Sequence, residues 1–190
     1  MRLALEAAEW LGSAHPLAYA RFAVARSRLV RKEWVEAAAA FEEALSFARE
    51  HGVLLEIEAD HLTGLAEAYL GRGDAVASLK TADEALEIAR RRGMQLGELD
   101  AQILRARALF EIDNGASLRA VAAVLDAAEG LVRKTGAESR RPFIHLARGE
   151  LAAAEGDIPI RERELRKAHR LFTEIGAPIR AAEVAKELGL

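Results

Sequence analysis

Five histidines, His15, His51, His61, His145 and His169, change charge near neutral pH and are the first candidates for acid–base or metal chemistry. No two stand three or four residues apart, so no helical face offers a metal-ligand pair. His51 and His61 flank one helix junction and are read as two solvated rings. Cysteine is absent, which excludes thiol catalysis, disulfides and thiolate metal sites. Serines occur without a nucleophile-elbow motif. Gly71-Arg-Gly73 lacks both the preceding strand and the following Lys-Ser/Thr of a phosphate loop. The carboxylates Glu42-Glu43, Glu56 with Glu58 and Asp60, and Asp83-Glu84 are read as solvated helix faces with partners one turn away. Arg90-Arg91-Arg92 and Arg140-Arg141 sit at helix ends, where cations meet carbonyl dipoles. No nucleophile, base or metal set converges, so the sequence predicts no enzyme, no metal site and no cofactor.

One charged column has a different character. Arg26, Glu67, Arg107 and Arg148 recur 41, 40 and 41 residues apart. A polar residue beside a packed position is ordinary, so the column is first of all the outer edge of a buried stripe. Presented on one surface, three cations and one anion would suit an acidic peptide, a C-terminal carboxylate or a small anion.

The elements that must position this column follow from a repeat. An alanine precedes a glycine by eight residues five times: Ala4 and Gly12, Ala44 and Gly52, Ala85 and Gly93, Ala128 and Gly136, Ala168 and Gly176. The glycines are 40, 41, 43 and 40 residues apart. Each follows an apolar turn and a polar one, as in Phe47-Ala-Arg-Glu-His-Gly52, which is how a helix ends. A second register, Ala25, Ala66, Ala106 and Ala147, marks another helix in each unit, with a large apolar residue four positions on: Leu29, Leu70, Phe110 and Leu151. Turns show at Arg31-Lys-Glu33, Gly71-Arg-Gly-Asp74, Asp113-Asn-Gly115 and Gly156-Asp157. The predicted helices are 1–11, 16–30, 33–51, 54–71, 75–92, 96–112, 117–135, 139–155, 160–175 and 178–188. Arg161 breaks the apolar pattern, which predicts a shifted or looser last repeat. Trp10 and Trp34 are read as fillers between units.

Leu62, Leu65, Ala66 and Tyr69, followed by Ser78, Ala82 and Ala85, resemble a tetratricopeptide (TPR) repeat, and Trp34-Val-Glu-Ala37, Phe41 and Ala44 resemble the second half of another. The resemblance extends over nearly the whole chain, with a period of about 41 in place of 34. It is similar to the long repeats of bacterial multidomain regulators such as signal-transducing ATPases, whose C-termini the segment His169 to Leu188 resembles. It implies an all-α, right-handed α-solenoid of antiparallel helix pairs with about ten helices; a HEAT-like solenoid is the alternative. The implied organisation is a leading helix at 1–12, repeats at 13–52, 53–93, 94–136 and 137–176, and a capping helix at 177–190. The residue after the helix-A alanine faces the concave groove in that family, which would place Arg26, Glu67, Arg107 and Arg148 there.

Composition agrees with this reading. The chain has 190 residues, 41 of them alanine, the best helix former, with 51% hydrophobic residues and 5% aromatic ones. Its net charge of −3 provides no general attraction to nucleic acid or to an anionic membrane. No apolar run reaches membrane-spanning length, and the charged start (Arg2, Glu6, Glu9) is unlike a signal peptide, so a cytoplasmic chain is expected. A helix B without its helix A opens the chain and leaves Leu3, Leu5, Ala8 and Leu11 uncovered. The expectation is the C-terminal part of a longer protein, or self-association through that helix. The predicted function is a non-catalytic regulatory scaffold for a protein or peptide partner, another domain of the same protein included. The alternative is a repeat domain that senses a small effector.

Overall fold

Alanine decides where these helices touch. The structure, a computed structural model, describes residues 13–113 and 118–190. Nine α-helices lie among the described residues, and no strand. They are α1 (Ala14–Val30), α2 (Trp34–His51), α3 (Glu58–Gly71), α4 (Ala75–Arg92), α5 (Gln95–Asp113), α6 (Leu118–Thr135), α7 (Arg141–Ala154), α8 (Ile158–Glu174) and α9 (Pro178–Leu188). The expected leading helix, its apolar face and Trp10 lie outside the described residues, as does most of the Asp113-Asn-Gly115 turn.

The helices end where the glycine spacing places their ends. Gly52, Gly93, Gly136 and Gly176 all adopt the left-handed conformation, with φ of 62°, 68°, 72° and 71°. Without a Cβ, that conformation lets the backbone turn back on the last carbonyls at little cost. Helix starts differ more from expectation. Short 3-10 turns, Leu55–Ile57 and Glu138–Arg140, stand ahead of α3 and α7. Before the first of them Leu54 takes a φ of 57° while burying its side chain to 2% exposure. Burial of a leucine, on the order of 2 kcal/mol, offsets that backbone strain. Helix α8 begins two residues earlier than expected, because the Asp157 side chain accepts the Ile160 amide at 2.9 Å and Pro159 fits the first turn.

The chain divides into two compact units, one reaching Leu104 and the other running from Arg105, with the division inside α5. In the first, α1 packs on α2, α3 on α4, and α2 on α3. Ala25, Ala37, Ala44, Ala59, Ala66, Ala68, Ala85 and Ala89 have no exposed surface, so the backbones approach closely and the aromatic rings fill what remains. Phe41 of α2 lies against Gly64 of α3, where an added Cβ would stand 2.5 Å from its ring. Trp34 covers Gly71 in the same way, leaving no room for a Cβ, and so fills the junction between successive helix pairs. Ser78, at an expected small position, donates from its hydroxyl to the Ala66 carbonyl at 2.8 Å and ties α4 to α3.

In the second unit α7 packs against both α6 and α8, and α9 packs on α8. Its buried side chains include Val121, Leu125, Ile144, Leu165 and Phe172, with Phe143 edge-on to Phe172 at 5.1 Å. The Arg161 side chain reaches Glu187 of α9 at 3.3 Å, and Gly149 leaves room for the Leu165 side chain. Helix α9 buries Ala181 and Val184 and leaves Lys186 and Glu187 exposed.

Candidate functional site

A concavity lies in the first unit. Helices α2 and α4 form its walls and α3 its floor, enclosing about 490 Å³. Leu45, Leu62 and Leu65, all largely buried, make the base. At one end the Tyr69 hydroxyl donates to Glu42 Oε1 at 2.7 Å. Burial, followed by the Glu42 carboxylate, pushes the Tyr69 pKa up to about 12, so the ring stays neutral. At the other end Arg49 crosses from α2 to α4. It donates to Glu58 at 2.7 Å and to Glu84 at 2.5 Å. These carboxylates outweigh the burial that disfavours its charge, and its pKa rises. Lys80 and Thr81 complete the α4 wall.

The second unit carries a smaller concavity of about 180 Å³ among α6, α7 and α8. Asp126 accepts from Arg148 of α7 at 2.9 Å, as Glu42 accepts from Tyr69 of α3. Behind it stands a buried pair in which His145 Nδ1 lies 2.6 Å from Glu164. Burial works against the Glu164 charge, but hydrogen bonds from Lys167 and His145 prevail and hold its pKa below the usual carboxylate range. For His145 burial prevails over the pull of Glu164, and its pKa is lowered.

The charged column falls two residues to each unit. Arg26 is exposed on α1, and Glu67 is half-buried on α3 with its polar atoms engaged. Arg107 is half-buried on α5 and faces Glu150. Burial, with Glu111 and Glu187, raises the Glu150 pKa although that residue keeps an exposed surface; Arg107 acts the other way. Arg148 is committed within the fold to Asp126 and, at 3.7 Å, to Glu129.

Several expectations need correction. His61 is not solvated: it is 6% exposed and stacks on Phe22 with 3.4 Å between ring centroids. Among the described residues neither of its ring nitrogens has a hydrogen-bond partner. Burial, and next the Arg26 charge, lowers its pKa to about 4. A signal was present, since His61 stands one helical turn before Leu65, on the same face. Glu58 is likewise buried, held by Arg49 and by Arg92 at 3.6 Å. The arginine clusters meet carboxylates as well as carbonyls: Arg90 reaches Glu98, Arg141 reaches Glu129, and Arg92 also donates to the Leu55 carbonyl. Among the described residues no group of three or more His, Asp or Glu side chains is placed to hold a metal ion.

No family model matches the chain, and no curated protein matches it. Solved structures similar to it include the following two. A Rap protein complexed with competence and sporulation factor superposes with a TM-score of 0.82 at 16% identity, over 93% of this chain. The chain spans 48% of that Rap chain, about half its length. BtubC (BKLC) from P. vanneervenii superposes with a TM-score of 0.68 at 14% identity, over 99% of this chain and 86% of its own. The fold is that of a TPR-like helical repeat.

Proposed function

We propose that the chain is a non-catalytic interaction module that binds a peptide or an extended protein segment in the service of a larger regulator. The supporting observation is a helical-repeat scaffold with an open, leucine-floored groove, on a fold similar to that of a Rap protein captured with a bound factor. Such grooves suit chain segments, because helices hold the walls rigid while side chains vary. The charged column, Arg26 and Glu67 in one unit and Arg107 and Arg148 in the other, supplies further polar recognition away from this groove's lining. Arg148 is the least available of the four, being paired already with Asp126.

A peptide-display selection on the immobilised chain tests this, with each enriched sequence synthesised and titrated by calorimetry. Enrichment of a common pattern, with weaker binding by the double variant Arg26→Glu/Arg107→Glu at unchanged melting temperature, is the expected outcome. Random recovery without a measurable titration removes the reading. A second reading, sensing of a small effector, draws on the groove volume, which lies within the range of small-molecule pockets. A metabolite screen by thermal shift separates the two, since a ligand of the folded state raises the melting temperature by mass action.

A further inference from the structure

The α2–α3–α4 groove has a chemistry of its own, apart from the charged column. Its two carboxylates are already engaged, Glu42 by the Tyr69 hydroxyl and Glu84 by Arg49. Arg49 is itself held between Glu58 and Glu84. Lys80 differs: it stands exposed on the α4 wall, and among the described residues no carboxylate pairs with it. The walls run from Glu42 to Arg49 on α2 and from Ala77 to Glu84 on α4. Seven helical steps amount to about 10 Å, the length of roughly three residues of extended chain.

The second unit shows what fills such a groove. Counted back from the helix-B alanines Ala85 and Ala168, Ala77 corresponds to Ile160, Lys80 to Arg163 and Thr81 to Glu164. There the larger side chains of Ile160 and Glu164 stand where the first unit has Ala77 and Thr81, the cavity they line is the smaller one at about 180 Å³, and Arg163 is bonded to Glu164 at 3.3 Å. The first unit keeps both the volume and the uncommitted cation.

The geometry points to this groove as the dock for a short extended peptide segment that sets an aliphatic side chain on Leu45, Leu62 and Leu65 and an adjacent carboxylate on Lys80. It rests on the peptide-binding reading above and names the segment's chemistry. Glu42, at the Tyr69 end, repels a second acid there and so fixes the direction in which the segment lies.

The test uses three fluorescein-labelled hexapeptides, Gly-Gly-Leu-Glu-Gly-Gly and its Leu-Gln and Leu-Lys counterparts, titrated at low salt by fluorescence polarisation. The wild-type chain is expected to prefer the Leu-Glu peptide. Lys80→Glu should weaken that peptide roughly fivefold, the size of one exposed ion pair, and turn the preference to Leu-Lys. Ala77→Ile, which installs the side chain that the second unit carries, should abolish binding of all three while the helical circular dichroism stays unchanged. An order of preference unmoved by Lys80→Glu, or full binding by Ala77→Ile, overturns the proposal. Where display-selected peptides bind but ignore both substitutions, this dock is wrong and the peptide-binding reading stands. Where neither they nor the hexapeptides bind, both fail.

Discussion

At Gly64 the absent methyl group is what matters, because Phe41 occupies its place. A Cβ there would meet ring atoms at 2.5 and 2.9 Å, and Phe41 has no exposed surface into which to move. Gly64→Ala should therefore cost roughly 1–3 kcal/mol, the usual range for overpacking, despite the better helix propensity of alanine. Gly130, within α6, has nothing closer than Arg133 at 4.0 Å, so Gly130→Ala should stabilise by about 0.5–1 kcal/mol. Urea unfolding of the two variants checks the opposite signs; a shared sign would contradict the packing described. His61 makes a second residue-scale prediction. Its pKa of about 4 lies below the ordinary 6.5, so the unfolded chain takes up a proton in that window that the fold resists. Stability should then fall as pH drops from 6.5 towards 4 and be unaffected by this group above 6.5. After allowance for solvent near the ring, the extra loss between pH 7 and 5, relative to His61→Phe, is on the order of 1 kcal/mol. Parallel pH profiles for the two proteins would rule it out. The stacked His61 was open to reading from its place one turn before Leu65. Its missing partners were not, since they depend on what other helices fail to bring near.

At the scale of helices most of the architecture was legible. An alanine every forty-odd residues with a glycine eight further on specifies a packed helix and its end, and both are local properties. Boundaries went astray for two reasons. Leu54 bends the chain to bury itself ahead of α3, a tertiary effect, whereas the local cap of Asp157 with Pro159 starts α8 early. The groove escaped notice for a related reason. Periodicity reports which positions are apolar but not the space left between side chains of different helices, and Ala77 differs from Ile160 only in that respect. Helix-level stability is predicted to be uneven as well. Stacked repeats lean chiefly on their neighbours, so Gly64→Ala should loosen the elements that share the Phe41 contact before others. Hydrogen exchange followed by mass spectrometry should show the largest loss of protection in α2 and α3. A uniform loss from Ala14 to Leu188 would mean that the chain opens only as a whole.

At the scale of the molecule, balanced charge and one recurring helical theme produce a scaffold with few polar interiors. No described helix is long and apolar enough to cross a membrane. Two of its buried polar features, His61 and the His145–Glu164 pair, fall one to each compact unit, so each unit carries its own acid-sensitive spot. Function was less legible than fold for a physical reason: a repeating backbone looks the same whether its clefts are filled or vacant. The alternation between Ala77 and Ile160 carries that point into evolution. One helical position tolerates either a methyl or a branched butyl group on an unaltered framework. Descendants of such a chain can therefore open or close a cavity by a single codon's drift, long before they change their shape.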